Sequence, residues 1–510
     1  MAIEIFVDVS AEVEADVVAA RKDAQEQFAA LVAWLVEPGK RRLWDVEEGV
    51  GVRLRSLGCA LLALWFTSRR APSAPRCVVG PDERRYRWSG SRKTVVKAML
   101  GAVAFRRDFY VVGNGKRGDT FVPLDSELGL QPSGFSLRAT CLAVFLCAKM
   151  SFGETRGTLE HFWGWSPATK SLLQMTDQVG PLARPFLEGQ AAPMEDGEYL
   201  FVLADSKGAP MITETEMSRR RRPHTKRRRN EPGPKWRRRR RKAARRERRK
   251  KGDKSKNAKM ANVGVIYTLR VTAGVIEGPI HKRVYGTFRN MENLMRWLHA
   301  EAVKRGYGTK RTVFLADGDR KIWKLQQKYF PKAIPCLDWF HVSEKLWSIG
   351  ECLYAEGTDE LADWVSAQLG DLRAGRIHQL VRRLQRLATT LPRSGPGTRG
   401  KRKRMKQGIG YLKKNQDRMP YDELRRDGLD IGSGAVEGAV RQLGMRLDGQ
   451  GMRWSPARAE YVLQLRCIVI NGMWTQFEDY VAHHAHSAVL RPIRPEGLAS
   501  THNARRKKAA

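Results

Sequence analysis

Leu315-Ala-Asp-Gly-Asp-Arg-Lys-Ile-Trp323, with Phe330-Pro-Lys-Ala333 and Leu337-Asp-Trp-Phe-His341 close behind it, decides how this chain is read. Residues 312–316 are a short apolar run of strand formers that stops at Asp317-Gly318, a turn signal. Residues 320–329 predict a helix, with Ile322, Trp323, Leu325 and Gln326 wrapping one side and Pro331 ending it. Residues 333–337 predict a second strand, which again ends on an acid, Asp338, before a helix resumes over 342–349. Strand, acid, helix, strand, acid describes an α/β unit with carboxylates at the carboxyl ends of its strands, where parallel sheets place their chemistry. A lone Asp-Gly after a strand is an ordinary turn. The other acids of the chain give this one weight.

Upstream, residues 199–204 predict a strand ending in Asp205-Ser-Lys-Gly208, followed after a long gap by strands at 263–271 and 284–288 and a helix at 291–305. Downstream, residues 345–425 are mostly helical, interrupted by a basic, glycine-containing link at 394–404. Ile431-Gly-Ser-Gly-Ala-Val-Glu437 then opens a helix. Ala435, Val436, Ala439, Val440 and Leu443 form its buried side, and Glu437 and Arg441 share another face. A surface ion pair at that four-residue spacing is the plain alternative for Glu437. Gly451-Met-Arg-Trp454 precedes a further helix over 456–474. The order of three strands, helix, strand, helix, strand gives the expected fold class: α/β, a ribonuclease-H-like core with a mostly helical insertion.

Charge points to the partner. The 510 residues carry 93 Lys and Arg against 54 Asp and Glu, a formal net charge of +39, which favours a polyanion. Residues 219–256 hold 23 of the cations and 3 acids, with three prolines and almost no apolar residue, so this arm cannot pack a core. A localisation signal or a solvated surface is the bland alternative. Arg227, Arg228, Arg237, Arg238, Arg245 and Arg246 are the arm's candidate phosphate contacts. The longest clean apolar run, residues 59–66, is far short of the roughly 20 residues of a spanning helix, and acids near the start argue against a signal peptide. A cytoplasmic protein with no membrane partner is expected. The seven cysteines are scattered and form no Cys-x-x-Cys pair, as in a reducing compartment.

The expected organisation starts with a helical hairpin over 1–70, a small β-rich module over 71–130 with a turn at 113–118, and a helical module over 131–190. Two short helices across Gly164-Trp165, the second starting at Ser166-Pro167, give that last module the outline of a helix-turn-helix. The core follows as 191–344, carrying the arm 219–257, and resumes as 429–480 after the insertion 345–428. A basic tail fills 481–510.

Asp205, Asp317 and Glu437 are expected to meet at one sheet edge. Carboxylates that close repel unless cations sit between them, and hard oxygen ligands select Mg2+ or Mn2+. Two such ions about 3.5–4 Å apart serve phosphoryl transfer. No cysteine–histidine set of zinc type is present, and Cys77 stands alone in the β-rich module, so zinc is not expected.

Ala204-Asp-Ser-Lys-Gly-Ala-Pro-Met211, Ala316-Asp-Gly-Asp-Arg-Lys-Ile-Trp323, Asp338-Trp-Phe-His341, Ile431-Gly-Ser-Gly-Ala-Val-Glu437 and Gly451-Met-Arg-Trp454 together resemble bacterial insertion-sequence transposases of the ISKra-type group. The Asp-x-x-His pair is similar to that of Mutator-like and hAT-like transposases. The resemblance runs from about residue 90 to 475. It implies an Asp-Asp-Glu triad of Asp205, Asp317 and Glu437 holding two metal ions, binding of double-stranded DNA at element ends and target, cleavage by water, and joining of the 3′ hydroxyl to target DNA. It also implies a homo-oligomer. Asp338, His341 and Arg441 are candidates for supporting the triad or touching the DNA backbone. Two rivals stay open: a domesticated DNA-binding protein that no longer cuts, and a ribonuclease-H-like nuclease that does not join strands.

Overall fold

The computed structural model describes residues 6–112, 119–131, 133–212, 258–449 and 452–487. The expected turn at 113–118, the arm at 219–257 with its six candidate arginines, and the tail from 488 onward lie outside the described residues. The chain forms two compact units, one of residues 1–183 with 473–510 and one of residues 184–472. Both helices and strands are abundant, with several separate sheets, so the protein is mixed α/β.

In the first unit, helices Ser10–Val36 and Leu43–Ser68 pack against each other across the break at Pro38-Gly39. Strand β1 (Phe6–Asp8) pairs antiparallel with β2 (Ser73–Pro75). Strands β3 (Cys77–Val79), β4 (Arg85–Ala98), β5 (Gly101–Val111) and β6 (Thr120–Phe121) form an antiparallel sheet in chain order. Phe66 stacks on Phe105 with ring centroids 4.3 Å apart, and Val96, Val103, Val122 and Leu124 close the core around them. Arg70 is buried beside this core and pairs with Asp108, Glu12 and Asp16. Helices Leu137–Lys149, Phe152–Trp163 and Thr169–Val179 follow. Ser151 and Glu154 form a capping box at the start of the second, and Gly164, at φ 73°, ends it. The third helix starts at Thr169 and not at Ser166 as expected, because the Ser166 hydroxyl donates back to Glu160 at 2.8 Å and Ala168 is still extended.

Among the described residues, Leu43–Ser68 is the one helix long and apolar enough to cross a membrane by length and composition. Its first two turns carry Asp45, Glu47 and Glu48. Its last turns pack Phe66 into the sheet core just described.

In the second unit, strands β7 (Tyr199–Pro210), β8 (Ala258–Thr272), β9 (Val275–Thr287), β10 (Arg311–Ala316) and β11 (Ile334–Leu337) form a five-stranded sheet in the order β11-β10-β7-β8-β9. β7, β10 and β11 are parallel, and β8 runs antiparallel to both of its neighbours. The parallel strands are continuous apolar runs because helices cover both faces. Gly264 lies under Leu294 and Leu298 of helix Met291–Lys304, where a Cβ would come within 2.9 Å of them. Gly286, one residue along from the partner of Gly264 and so on the opposite face, lies under Leu463 of helix Pro456–Ile470 in the same way.

Five helices separate β11 from the last acid: Trp339–Gly350, Asp359–Arg373, Ile377–Thr390, Thr398–Asn415 and Tyr421–Arg426. The expected basic link at 394–404 is shorter than predicted. Gly397, at φ 75°, starts a helix that runs through Lys401-Arg-Lys-Arg404, since Lys and Arg are good helix formers. The expected helix over 456–474 is in fact two, Pro456–Ile470 and Trp474–Ser487, broken at Gly472 with φ 69°.

Candidate active site

The parallel pairing of three strands ends in step. Ala204 of β7 is in register with Ala316 of β10, and Ala316 with Leu337 of β11. These are the last paired residues, and the next residue on each strand is an acid: Asp205, Asp317 and Asp338. The expectation that a strand ends at Asp205 needs correction. β7 continues to Pro210, because its antiparallel partner β8 pairs with it along the whole length, with Asp205 opposite Val263. Asp205 therefore sits on a rigid strand at the point where its parallel neighbour leaves.

Each acid is oriented by its own surroundings. Asp205 Oδ1 accepts the Ser206 backbone N–H at 2.6 Å. Asp317 Oδ1 accepts the Asp319 N–H at 2.9 Å, and the Asp317 carbonyl accepts Trp323 Nε1–H at 2.7 Å. Asp319 caps the helix Arg320–Tyr329. Gly318 is required by contact: a Cβ there would lie 2.2 Å from the Tyr411 ring.

Asp338 is buried and caps helix Trp339–Gly350. Its Oδ2 accepts the His341 backbone N–H at 3.0 Å and meets His341 Nδ1 at 2.6 Å. Its Oδ1 accepts the Ser433 N–H at 2.7 Å. Both oxygens of Asp338 are thus spent on protein donors. The ionised carboxylate accepts Nδ1–H, and because His341 is pushed up to about 9 the ring is protonated at neutral pH, leaving Nε2–H as its second donor.

Glu437 lies in the first turn of helix Gly434–Leu447, whose Val436, Ala439, Leu443 and Leu447 are buried. The Ser433 hydroxyl and Glu437 Oε1 are 2.6 Å apart. Glu437 makes no ion pair with Arg441 among the described residues. The far end of this helix is tied to β7. Lys207 pairs with Asp448 at 3.1 Å, Trp454 N–H donates to Pro210 O at 3.2 Å, and Ile212 N–H donates to Trp454 O at 2.8 Å.

Asp205, Asp317 and Glu437 do not all bring ligand atoms within 4.8 Å of one another, but the charges of Asp317 and Glu437 act on Asp205. Burial raises the Asp205 carboxyl above its ordinary value, the Ser206 N–H opposes this, and the negative charges of Asp317 and Glu437 push it further up while His341 pulls it down. Burial also acts to raise Asp338, but hydrogen bonds from His341 and Ser433 outweigh it and hold the carboxyl below its usual value. His341 is pushed up to about 9, first by its hydrogen bond to Asp338 and then, against burial, by the charges of Asp338, Asp317 and Glu344.

Ligand atoms of Asp338, His341 and Glu437 all lie within 4.8 Å of one another, so this group can hold a metal ion. The sequence named all three, but placed Asp338 and His341 in support of a different trio. Ser433, which touches both Asp338 and Glu437, has no role in the sequence reading beyond the stretch that opens the helix. Tyr411, which covers Gly318, carries no sequence signal at all. No family model matches the chain, and no curated protein matches it at a significant level.

Proposed function

We propose that this chain is a DNA transposase of the Asp-Asp-Glu kind, built on a ribonuclease-H-like core. One observation carries the reading. Asp205 and Asp317 follow the last register pair of two parallel strands, and Glu437, from a helix more than a hundred residues on, acts on the same Asp205 carboxyl. The strand order with its one antiparallel hairpin pair supports the core, and the ordered set of motifs supports the activity.

The donor set fits divalent ions. Each of the three carboxylates gives one oxygen to a donor from its own stretch of chain, Asp205 to Ser206, Asp317 to Asp319 and Glu437 to Ser433. Each keeps its other oxygen for a ligand. Asp205, Asp317 and Glu437 would hold Mg2+ or Mn2+, as hard oxygen donors do. When bound, two such ions supply activation of the attacking oxygen and stabilisation of the leaving oxygen. Asp338 orients His341, whose Nε2 is placed to meet a phosphate oxygen. The arm at 219–257 adds a sequence-independent hold on double-stranded DNA, and the protein works as a homo-oligomer on element ends and target.

The test is cleavage and strand joining on DNA carrying the ends of the element, with Mg2+ and with chelator. Metal-dependent nicking at the ends and joined products are expected. Asp317→Asn is expected to bind DNA as the parent does and to cut nothing, and cutting at the parent rate would make Asp317 a turn residue only. Nicking without joining would leave a nuclease, and binding without nicking a DNA-binding protein.

A further inference from the structure

A cleft of about 1000 Å³, open along one side, begins at Gly318 and runs between helices Arg320–Tyr329 and Thr398–Asn415. Arg320, Lys324, Lys403, Lys406, Lys414 and Arg418 line it, and no acid does. Two other cations on the same two helices find partners: Lys328 pairs with Glu292 at 2.8 Å and Arg404 with Glu351 at 3.0 Å. Among the described residues, Arg320, Lys324, Lys403, Lys406 and Lys414 pair with no carboxylate. Five exposed cations gathered in one concave wall repel one another. Neither helix carries an acidic residue of its own to neutralise them.

We infer that this cleft holds the phosphate backbone of the DNA strand next to the acids, with the helical insertion as one jaw. The inference takes DNA as the substrate from the proposed function and adds where its backbone lies. Position is the first reason. Gly318 is a wall of the cleft and the neighbour of Asp317, so a strand lying in it leads to the carboxylates. Shape is the second. Lys403, Lys406, Gly410 and Lys414 recur along one face of their helix over eleven residues, about 16 Å at 1.5 Å per residue. That length spans roughly five phosphates at about 3.4 Å of rise each. Charges spread along a line suit a polymer, whereas a small phosphate ligand needs them to converge on a point.

The cleft has no stacking platform. Trp323 is buried, its Nε1–H is spent on Asp317 O, and Arg418 lies over its ring at 4.7 Å. The Tyr411 ring is packed on Gly318. Without an open aromatic face for bases to stack on, the cleft holds the nucleic acid by its backbone.

The test compares the full chain with Lys403→Gln/Lys406→Gln/Lys414→Gln, three exposed positions, in salt titrations on a duplex of scrambled sequence. Loss of three contacts is expected to lower the log–log slope by about 2.7, at about 0.9 per phosphate, with Lys→Arg at the same positions keeping the parent slope. An unchanged slope overturns the inference, and if the parent still cuts DNA, the proposed activity survives that loss. A lowered slope in a protein that never cuts DNA supports the cleft and removes the activity. A slope change seen on an RNA duplex alone also overturns it.

Discussion

The Ser433 hydroxyl donates to Glu437 Oε1 at 2.6 Å while the backbone N–H of the same serine donates to Asp338 Oδ1 at 2.7 Å. One residue thus holds the last acid of the site against the buried acid of the sheet edge. Ser433→Ala removes the hydroxyl and leaves the backbone bond. It is expected to reduce DNA cleavage about 10–100-fold, the usual loss for a residue that orients a ligand, with DNA affinity unchanged. Glu437→Gln is expected to abolish cleavage and joining outright. Equal activity of parent and Ser433→Ala in a single-turnover assay would show that Glu437 needs no anchor.

Asp338→Asn places an amide where three N–H donors converge. One of its two polar atoms must then face a donor with a donor. Cleavage is expected to fall about 10–100-fold, between the parent and Glu437→Gln. His341 loses the hydrogen bond that most raises it, so its titration is expected to move down from about 9 toward the ordinary value. Its imidazole signals in an NMR pH titration report this, and a midpoint that stays near 9 would refute the pairing.

Gly318→Ala tests the contact with Tyr411. The added Cβ meets a ring carbon of the Tyr411 side chain at 2.2 Å, so the ring or the turn must shift. The variant is expected to lose cleavage with all three acids intact. Tyr411→Ala combined with Gly318→Ala opens the space again and is expected to recover part of the activity. A Gly318→Ala variant as active as the parent would show that the turn and the insertion move independently.

In the other unit, Arg70 is buried and shared by Asp108, Glu12 and Asp16. Burial alone would raise Asp108, but the bonds from Arg70, Ser91 and Trp88 hold it below its ordinary value; the bond from Arg70 does the same for Glu12. Folded values below unfolded ones mean stability that is complete above the ordinary carboxylate range and is lost as pH falls through the folded values. Arg70→Ala is expected to destabilise this unit by about 3–5 kcal/mol at neutral pH, since it leaves buried carboxylate charge unpaired. The gap between parent and variant is expected to narrow below the ordinary values of 3.8 and 4.5. Denaturant melts at several pH values measure it, and a gap constant down to pH values well under this range would contradict the pairing.

The sequence was most legible where a local rule and the tertiary structure agree. Arg320–Tyr329 is a helix as predicted, because its apolar side, its Asp319 cap and Pro331 all act within thirteen residues. Asp205 was misplaced at a strand end because Ser206-Lys-Gly208 looks like a turn, and only β8, more than fifty residues away, keeps that stretch extended. The same distance hid Ser433 and Tyr411. Their partners, Asp338 and Gly318, lie more than ninety residues off, and nothing in Gly-Ser-Gly or Gly-Tyr-Leu announces a contact at that range. Charge runs misled in the other direction: Lys401-Arg-Lys-Arg404 reads as a linker but is helix.

The bond between Ser433 and Asp338 joins residues 95 apart. In a protein made from its N-terminus, the two aspartates leave the ribosome well before Glu437 does, and the loop between them must close first. Under the proposed function, a partly synthesised chain has most of its cations before its set of acids is complete. The order of synthesis therefore supplies Glu437 only after the helical insertion has been made.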